Sequence, residues 1–191
     1  MSFPLRFRTP ASWTAAVMAD FDRFLLDHAA AEKKAAGMAV SMLSHYPDRT
    51  ELVTAMADLA VEEMSHFREV VKILHSRGLQ LARDEKDAYV LAMRAAVRNG
   101  SDDYFLDRLL VGGIIEARGA ERFGLVAEAL ADAPLKRFYQ SITRSEERHY
   151  ALFVDLARRY FPEPVWRARL DELIDIEADV ASRQADRPAL H

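Results

Sequence analysis

The sequence contains the pattern Glu-x-x-His twice, at Glu63–His66 and again at Glu146–His149. Residues three apart on an α-helix lie on one face about one turn apart, so each carboxylate and its imidazole can bind the same metal ion. A further glutamate precedes each pair at nearly the same distance, Glu32 before the first and Glu116 before the second. A repeated Glu followed by Glu-x-x-His predicts a carboxylate-bridged dinuclear metal site within a four-helix bundle.

Small residues flank both upstream glutamates on the same helical face: Ala29 and Ala36 around Glu32, and Gly112 and Gly119 around Glu116. A glycine inside a helix costs about 1 kcal/mol relative to alanine, so the glycines, including Gly113, need a compensating reason. Either they leave space for metals, dioxygen and substrate beside inward carboxylates, or they permit a close helix crossing. Both explanations stay open at this point.

Other candidate ligands fit the repeat less well. Glu121 competes with Glu116, but five residues turn a helix through about 500°, so the two cannot both point inward, and the spacing favours Glu116. His28 lies one turn before Glu32 and could support that ligand, although we favour a partly exposed position. His45, His75 and His191 are interpreted as structural. The predicted metal ligands are Glu32, Glu63, His66, Glu116, Glu146 and His149, and no further catalytic residue is predicted.

The apolar pattern predicts an all-α fold. The first long helix runs from Trp13 to about His45, with Ser12 as a possible N-cap and Pro47 as its stop. The later helices follow in order: Asp48 to about Gly78, a short helix over about Glu85 to Arg98, Asp102 or Asp103 to about Ala131, Pro134 to about Tyr160, and residues 163–188. Two hairpins joined by a long connection are typical of ferritin-like four-helix bundles. We expect one domain over residues 1–191, with its core at about 12–161.

The amino-acid composition limits the kinds of function that the chain can have. The chain has no cysteine, which excludes disulfides, iron–sulfur clusters and thiolate metal sites, so any metal must use oxygen and nitrogen ligands. The net charge of −4 argues against a protein that coats nucleic acid, but it does not exclude a local basic face. No apolar run is long enough to cross a membrane and no signal peptide is visible, so we expect a cytoplasmic protein.

Four carboxylates and two imidazoles suit iron or manganese. A pair of such ions can serve an oxidase, a monooxygenase, a peroxide-handling enzyme or an iron store. A manganese catalase or a ferroxidase would use a similar ligand set. A purely structural bundle is disfavoured, because four buried carboxylates without a counter-charge would be very costly.

Four segments resemble those of bacterial tRNA 2-methylthio-N6-isopentenyladenosine hydroxylases: residues 27–35, 62–67, 115–123 and 145–150. The resemblance extends from about Trp13 to Pro162. It implies a ferritin-like non-haem di-iron monooxygenase whose two iron ions occupy the six ligand positions given above. Such an enzyme hydroxylates the isopentenyl group of a modified adenosine beside the anticodon, using O2 and electrons from a separate reductase. The implied partners are therefore tRNA, through its anticodon loop, and an electron-donor protein.

Basic residues concentrate around the second Glu-x-x-His: Lys136, Arg137, Arg144, Arg148, Arg158, Arg159, Arg167 and Arg169. We interpret this cluster as a candidate surface for tRNA phosphates, which Lys33, Lys34 and Arg118 could extend; a solvated helix face is the alternative. We also expect a partner for each imidazole nitrogen that faces away from the metals, with Glu62 and Glu147 as candidates.

Overall fold

The computed structural model describes residues 4–191, which contain seven α-helices and no β-strand. In chain order the helices are α1 (Ala11–Ala19), α2 (Phe21–His45), α3 (Thr50–Ser76), α4 (Ala88–Ala95), α5 (Ser101–Ala129), α6 (Ala133–Tyr160) and α7 (Glu163–Ser182). The all-α prediction is confirmed. No helix in residues 4–191 combines the length and apolarity needed to cross a membrane.

The first predicted helix is in fact two, and Ser12 lies inside α1 instead of capping it. The break falls at Asp20, whose backbone is non-helical and whose carboxylate accepts a hydrogen bond from the Arg23 amide at 3.1 Å. This contact satisfies one of the free amides at the start of α2. The apolar pattern continues through the break, from Val17 to Phe24, so hydrophobic spacing alone could not reveal it.

Other boundaries differ by a few residues from those predicted. The N-cap of α3 is Arg49, not Asp48. The crossover helix α4 is shorter than expected, because Asp87 caps it by accepting a hydrogen bond from the Val90 amide at 3.0 Å. The start of α6 agrees with the prediction, since Asp132 caps the helix and a proline stands in its first turn. The last helix ends at Ser182 rather than near residue 188.

The described chain divides into two compact units. One contains α2 and α3 within Ala19–Glu85, together with Arg187–Leu190. The other contains residues 4–18, Lys86–Asp186 and His191, and so holds most of α1 and all of α4 to α7. In the first unit α2 packs along α3, and in the second α5 packs along α6, with α7 against α5. The prediction of a single domain stays a prediction.

Two of the glycines in α5 allow a close approach of α6. A Cβ atom at Gly112 would lie 3.0 Å from a ring carbon of Phe153, and one at Gly113 would lie 3.1 Å from the Cβ of the same residue. Close helix packing therefore explains these two glycines. Gly119 differs, since a Cβ there would make an ordinary contact of 4.0 Å with Cγ of Glu146.

Buried ion pairs connect the helices of the α5–α6 unit. Asp107, on α5, has no exposed surface and binds two arginines. Arg98 donates to it through both its backbone amide and its guanidinium at 2.8 Å, and Arg169 of α7 donates at 2.7 and 2.9 Å. Burial would raise the pKa of Asp107, but these hydrogen bonds outweigh burial and hold the pKa below its ordinary value.

A second buried network surrounds Arg118, which has no exposed surface. Its guanidinium donates to both carboxylate oxygens of Glu177 on α7, at 2.8 and 3.0 Å, and also binds Glu121. Tyr89 of α4 donates to the same Glu177 at 3.0 Å. Arg122, one turn along α5, lies 4.9 Å from the ring centroid of Trp13. Burial lowers the pKa of Arg122 to about 10, so it remains charged at neutral pH.

Replacing Asp107 by Asn should destabilise the fold by about 3 kcal/mol at pH 7, because Arg169 would lose its buried counter-charge and keep the exposed Glu172, at 2.7 Å, as its remaining acidic partner. The pKa of Asp107 is lowered on folding, so its contribution is complete above its ordinary value of 3.8 and is lost as pH falls below that value. Urea unfolding should therefore show a large difference between wild type and Asp107→Asn at pH 7 and a smaller one near pH 3.

The matched control is Asp103→Asn, which removes a carboxylate that pairs with Arg98 at 3.0 Å but is 55% exposed. Exposed ion pairs contribute about 0–1 kcal/mol, so this variant should unfold nearly as wild type does. An equal and small effect from both substitutions would contradict the role given to the buried pair.

Candidate metal centre

In the α2–α3 unit, a buried cluster joins Glu32 of α2 with Glu63 and His66 of α3. Glu32 and Glu63 are 3% and 1% exposed. Each of the three residues offers one ligand atom, and these atoms lie within 4.8 Å of one another. Nδ1 of His66 lies 3.5 Å from Oε2 of Glu32 and 3.4 Å from Oε2 of Glu63, so this nitrogen faces the carboxylates.

The α5–α6 unit repeats the arrangement with Glu116 of α5 and with Glu146 and His149 of α6. All three are buried, and their ligand atoms again lie within 4.8 Å of one another. Nδ1 of His149 lies 3.4 Å from Oε2 of Glu146, which matches the geometry of the first Glu-x-x-His pair. The structure thus brings together, within each unit, the three residues that the sequence repeat predicts.

The donor chemistry of each cluster fits a metal ion. Two carboxylates and one imidazole supply oxygen-rich ligation of the kind that iron and manganese accept. Carboxylates buried to this degree need a positive charge beside them. The basic side chain that each cluster offers as a metal ligand is an imidazole, His66 in one and His149 in the other. Each unit therefore holds a buried Glu/His cluster compatible with a metal site.

Without a metal ion, a proton on His66 supplies part of the positive charge beside the buried carboxylates. Burial lowers the pKa of His66, but hydrogen bonding to Glu32 and Glu63 outweighs burial and raises it to about 9. Burial raises the pKa of Glu32, but hydrogen bonds with His28 and His66 lower it far below its ordinary value of 4.5. Ligation requires a neutral imidazole, so metal binding displaces the proton of His66.

His28 is buried, so its interpretation as partly exposed is wrong. The side chain has no exposed surface, and Nε2 lies 2.6 Å from Oε1 of Glu32. Sequence reasoning underrated this residue, although its position one turn before Glu32 on the same face was the signal that could have identified it.

The outer nitrogen of His66 points towards Glu62, as its candidate role requires, but the distance of 3.9 Å from Nε2 to Oε1 is too long for a hydrogen bond. The role suggested for Glu147 stays a prediction. The side chain of His66 is 14% exposed and that of His149 is 4% exposed, so His66 is the more accessible of the two imidazoles.

The structure also shows the contacts of the alternative ligand Glu121 and of two arginines that we assigned to a tRNA surface. Glu121 accepts hydrogen bonds from the amide and hydroxyl of Thr9, at 3.2 and 2.8 Å, which agrees with the choice of Glu116 as the ligand. Arg118 and Arg169 are buried and bound to carboxylates, so their assignment to a tRNA surface is wrong.

The remaining basic residues of the proposed tRNA surface differ in their contacts and exposure. Lys33 binds Asp84 at 2.9 Å and Lys34 binds the carbonyl of Glu85 at 2.8 Å. Arg137, Arg144 and Arg148 on α6 are exposed. Exposed arginines of this kind remain candidates for contact with phosphates.

The fold closely matches that of a solved oxygenase. A Synechococcus protein described as having aldehyde deformylating oxygenase activity superposes with a TM-score of 0.92 and 34% sequence identity, covering 98% of this chain and 93% of that chain. The fold, with its buried Glu/His clusters, thus defines the chain as an all-α enzyme of the ferritin-like oxygenase class.

Sequence comparison narrows the class to one family. The model of the tRNA-(MS[2]IO[6]A)-hydroxylase (MiaE) family matches residues 2–191. A tRNA 2-(methylsulfanyl)-N(6)-isopentenyladenosine(37) hydroxylase of Pseudomonas putida is 37% identical over 155 residues, which cover 81% of this chain and 75% of that protein. The Salmonella typhimurium hydroxylase of the same name is 35% identical over 130 residues, 68% of this chain and 47% of that protein. The chain belongs to this hydroxylase family, and the predicted ferritin-like fold is confirmed.

Loading the protein with Fe(II) should give two iron ions per chain if both clusters bind metal. Replacing either His66 or His149 with Ala removes the imidazole of one cluster, so each variant should retain about one iron. Metal analysis after removal of unbound iron measures the stoichiometry. The exposed His75, replaced with Ala, serves as the control and should leave both ions in place. Retention of two ions by both ligand variants would contradict the assignment.

Proposed function

We propose that this chain is a di-iron tRNA monooxygenase. Its substrate is the 2-methylthio-N6-isopentenyladenosine beside the anticodon, and its reaction is hydroxylation of the isopentenyl group with O2 and external electrons. Membership of the hydroxylase family carries the proposal. The buried Glu/His clusters support it, because hydroxylation of an alkyl C–H bond with O2 requires a redox-active cofactor to activate the oxygen.

Six residues would hold the two iron ions: Glu32, Glu63, His66, Glu116, Glu146 and His149. When bound, the ions supply the redox chemistry that uses dioxygen to oxidise a C–H bond. The protein contributes preformed ligands and a dry setting, since the four carboxylates are at most 6% exposed. His66 gives up its proton to the solvent as metal binds. A manganese catalase or a ferroxidase would need a similar donor set, but family membership favours the hydroxylase.

The partners follow from the reaction. Electrons must come from a separate reductase, because a chain without cysteine cannot carry an iron–sulfur or rubredoxin-type relay. The prenylated base must be accessible in a single-stranded loop, where bases can splay away from their neighbours. A tRNA substrate implies that the enzyme acts in the cytoplasm.

We further propose that phosphates of the tRNA contact α6. Arg137, Arg144 and Arg148 recur at helical spacing and are exposed, so they form one basic stripe. By helical geometry this stripe lies about 180° around α6 from the buried Glu146. Its arginines would therefore hold the nucleic-acid backbone and would take no part in the chemistry at the carboxylates.

The hydroxylation itself can be tested with the iron-loaded protein, a suitable reductase and tRNA from cells that make the prenylated adenosine. Nucleoside mass spectrometry should find a product heavier by one oxygen atom, and ¹⁸O2 should supply that atom. Reactions without O2, or with tRNA that lacks the isopentenyl group, are the controls and should give no product. A loaded enzyme that gives no product, or a product labelled from water, would contradict the proposal.

Charge reversal at Arg144 and Arg148 together should weaken tRNA binding. Each lost phosphate contact reduces the slope of log affinity against log salt by about 1, so the slope should fall by about 2. The iron content should not change. The matched control reverses the exposed Arg94 and Arg183, which alters net charge equally at other positions of the same unit. Equal effects of the two double variants would place the tRNA on another face.

A further inference from the structure

We infer that His28 is a positioning residue that dedicates one oxygen of Glu32 to a hydrogen bond and leaves the other for iron, which makes the two iron positions chemically different. The inference rests on the proposed di-iron function. It concerns an interaction within the α2–α3 unit.

The donor in the contact is His28. Its Nε2 lies 2.6 Å from Oε1 of Glu32, and an ionised carboxylate can only accept, so Nε2 carries the proton. The distance is short for a hydrogen bond, as expected when one partner is charged. Both side chains are buried, at 0% and 3% exposure, so water does not compete for the contact.

The other oxygen of Glu32 faces the predicted ligands. Oε2 lies 3.5 Å from Nδ1 of His66, the nitrogen that also faces Glu63. His28 is not one of the residues that, together with Glu32, place their ligand atoms within 4.8 Å of one another. It packs instead beside Phe24, with ring centroids 6.1 Å apart. His28 therefore fixes the orientation of a ligand without joining the ligand set.

In the second unit the helix position that corresponds to His28 holds a different kind of residue. The residue one turn before Glu116 is Gly112, which has no side chain. No side chain would fit there without movement, because a Cβ atom would lie 3.0 Å from the ring of Phe153. The residue of α3 that corresponds to Phe153, four positions after the histidine ligand, is the smaller Val70. The repeat thus keeps all six ligands but exchanges large and small residues beside them.

Because Oε1 of Glu32 accepts a hydrogen bond from His28, it is a poorer metal ligand than Oε2. The same hydrogen bond restricts rotation of the carboxylate and so fixes the direction of Oε2. Partners that orient a ligand in this way typically change metal affinity by 10–100-fold when they are removed. Glu32 has a histidine four residues before it in its own helix, whereas Glu116 has Gly112 at the same spacing. The effect of His28 should therefore fall on one iron position and spare the other.

The test compares wild type with His28→Leu, which removes the donor at similar volume, and His28→Gln, whose Nε2 can still donate. His75→Gln at an exposed position is the control. Anaerobic titration with ⁵⁷Fe(II) gives two affinities, and Mössbauer spectra of the same samples report the two iron environments. Thermal unfolding of the metal-free proteins measures structural damage separately.

His28→Leu should bind one iron 10–100-fold more weakly and alter one of the two spectral components, while His28→Gln stays within a few-fold of wild type. Unchanged affinities and spectra in His28→Leu would overturn the inference, and so would equal weakening of both irons. If His28→Leu does not fold, His28→Asn takes its place, because Asn cannot reach the Nε2 position; equal iron binding by the Asn and Gln variants would overturn the inference. Failure of the wild-type chain to bind two irons would instead overturn the proposed function.

Discussion

An ionised carboxylate buried inside a protein must be compensated by a positive charge or by hydrogen-bond donors, and the buried acids of this chain are arranged accordingly. Glu32, Glu63, Glu116 and Glu146 all point inward from long amphipathic helices. A proton on His66 can balance part of this charge, as the raised pKa of that imidazole indicates. Metal ions would balance it more fully. The repeated glutamates and histidines therefore have the charge and the donor atoms of a cation-binding site.

The structure separates two kinds of buried acid by their partners. Asp107 and Glu177 are bound by arginines, which satisfy several oxygen atoms at once and tie helices together. Their role is structural. The acids of the two Glu/His clusters have imidazoles as the basic members of their groups, and imidazoles can exchange a proton for a metal. This difference in partners distinguishes the acids that stabilise the fold from those proposed to bind iron.

Much of the fold and the composition of each ligand cluster could be predicted, because both follow from spacing along a helix. The long helices and the grouping of Glu63 with His66 are local properties of the sequence. The burial of His28, Arg118 and Arg169 depends on partners remote in sequence or on packing of the whole helix face, so charge and spacing alone suggested exposure. The helix break at Asp20 was missed for a different reason, since the apolar pattern runs through it.

We propose that the six repeated residues form two iron sites. Anomalous diffraction from crystals of the iron-loaded protein, measured on either side of the iron absorption edge, would locate the irons. Two iron peaks are expected, one within ligand distance of Nδ1 of His66 and the other within ligand distance of Nδ1 of His149. A single peak, or peaks away from these nitrogens, would contradict this proposal.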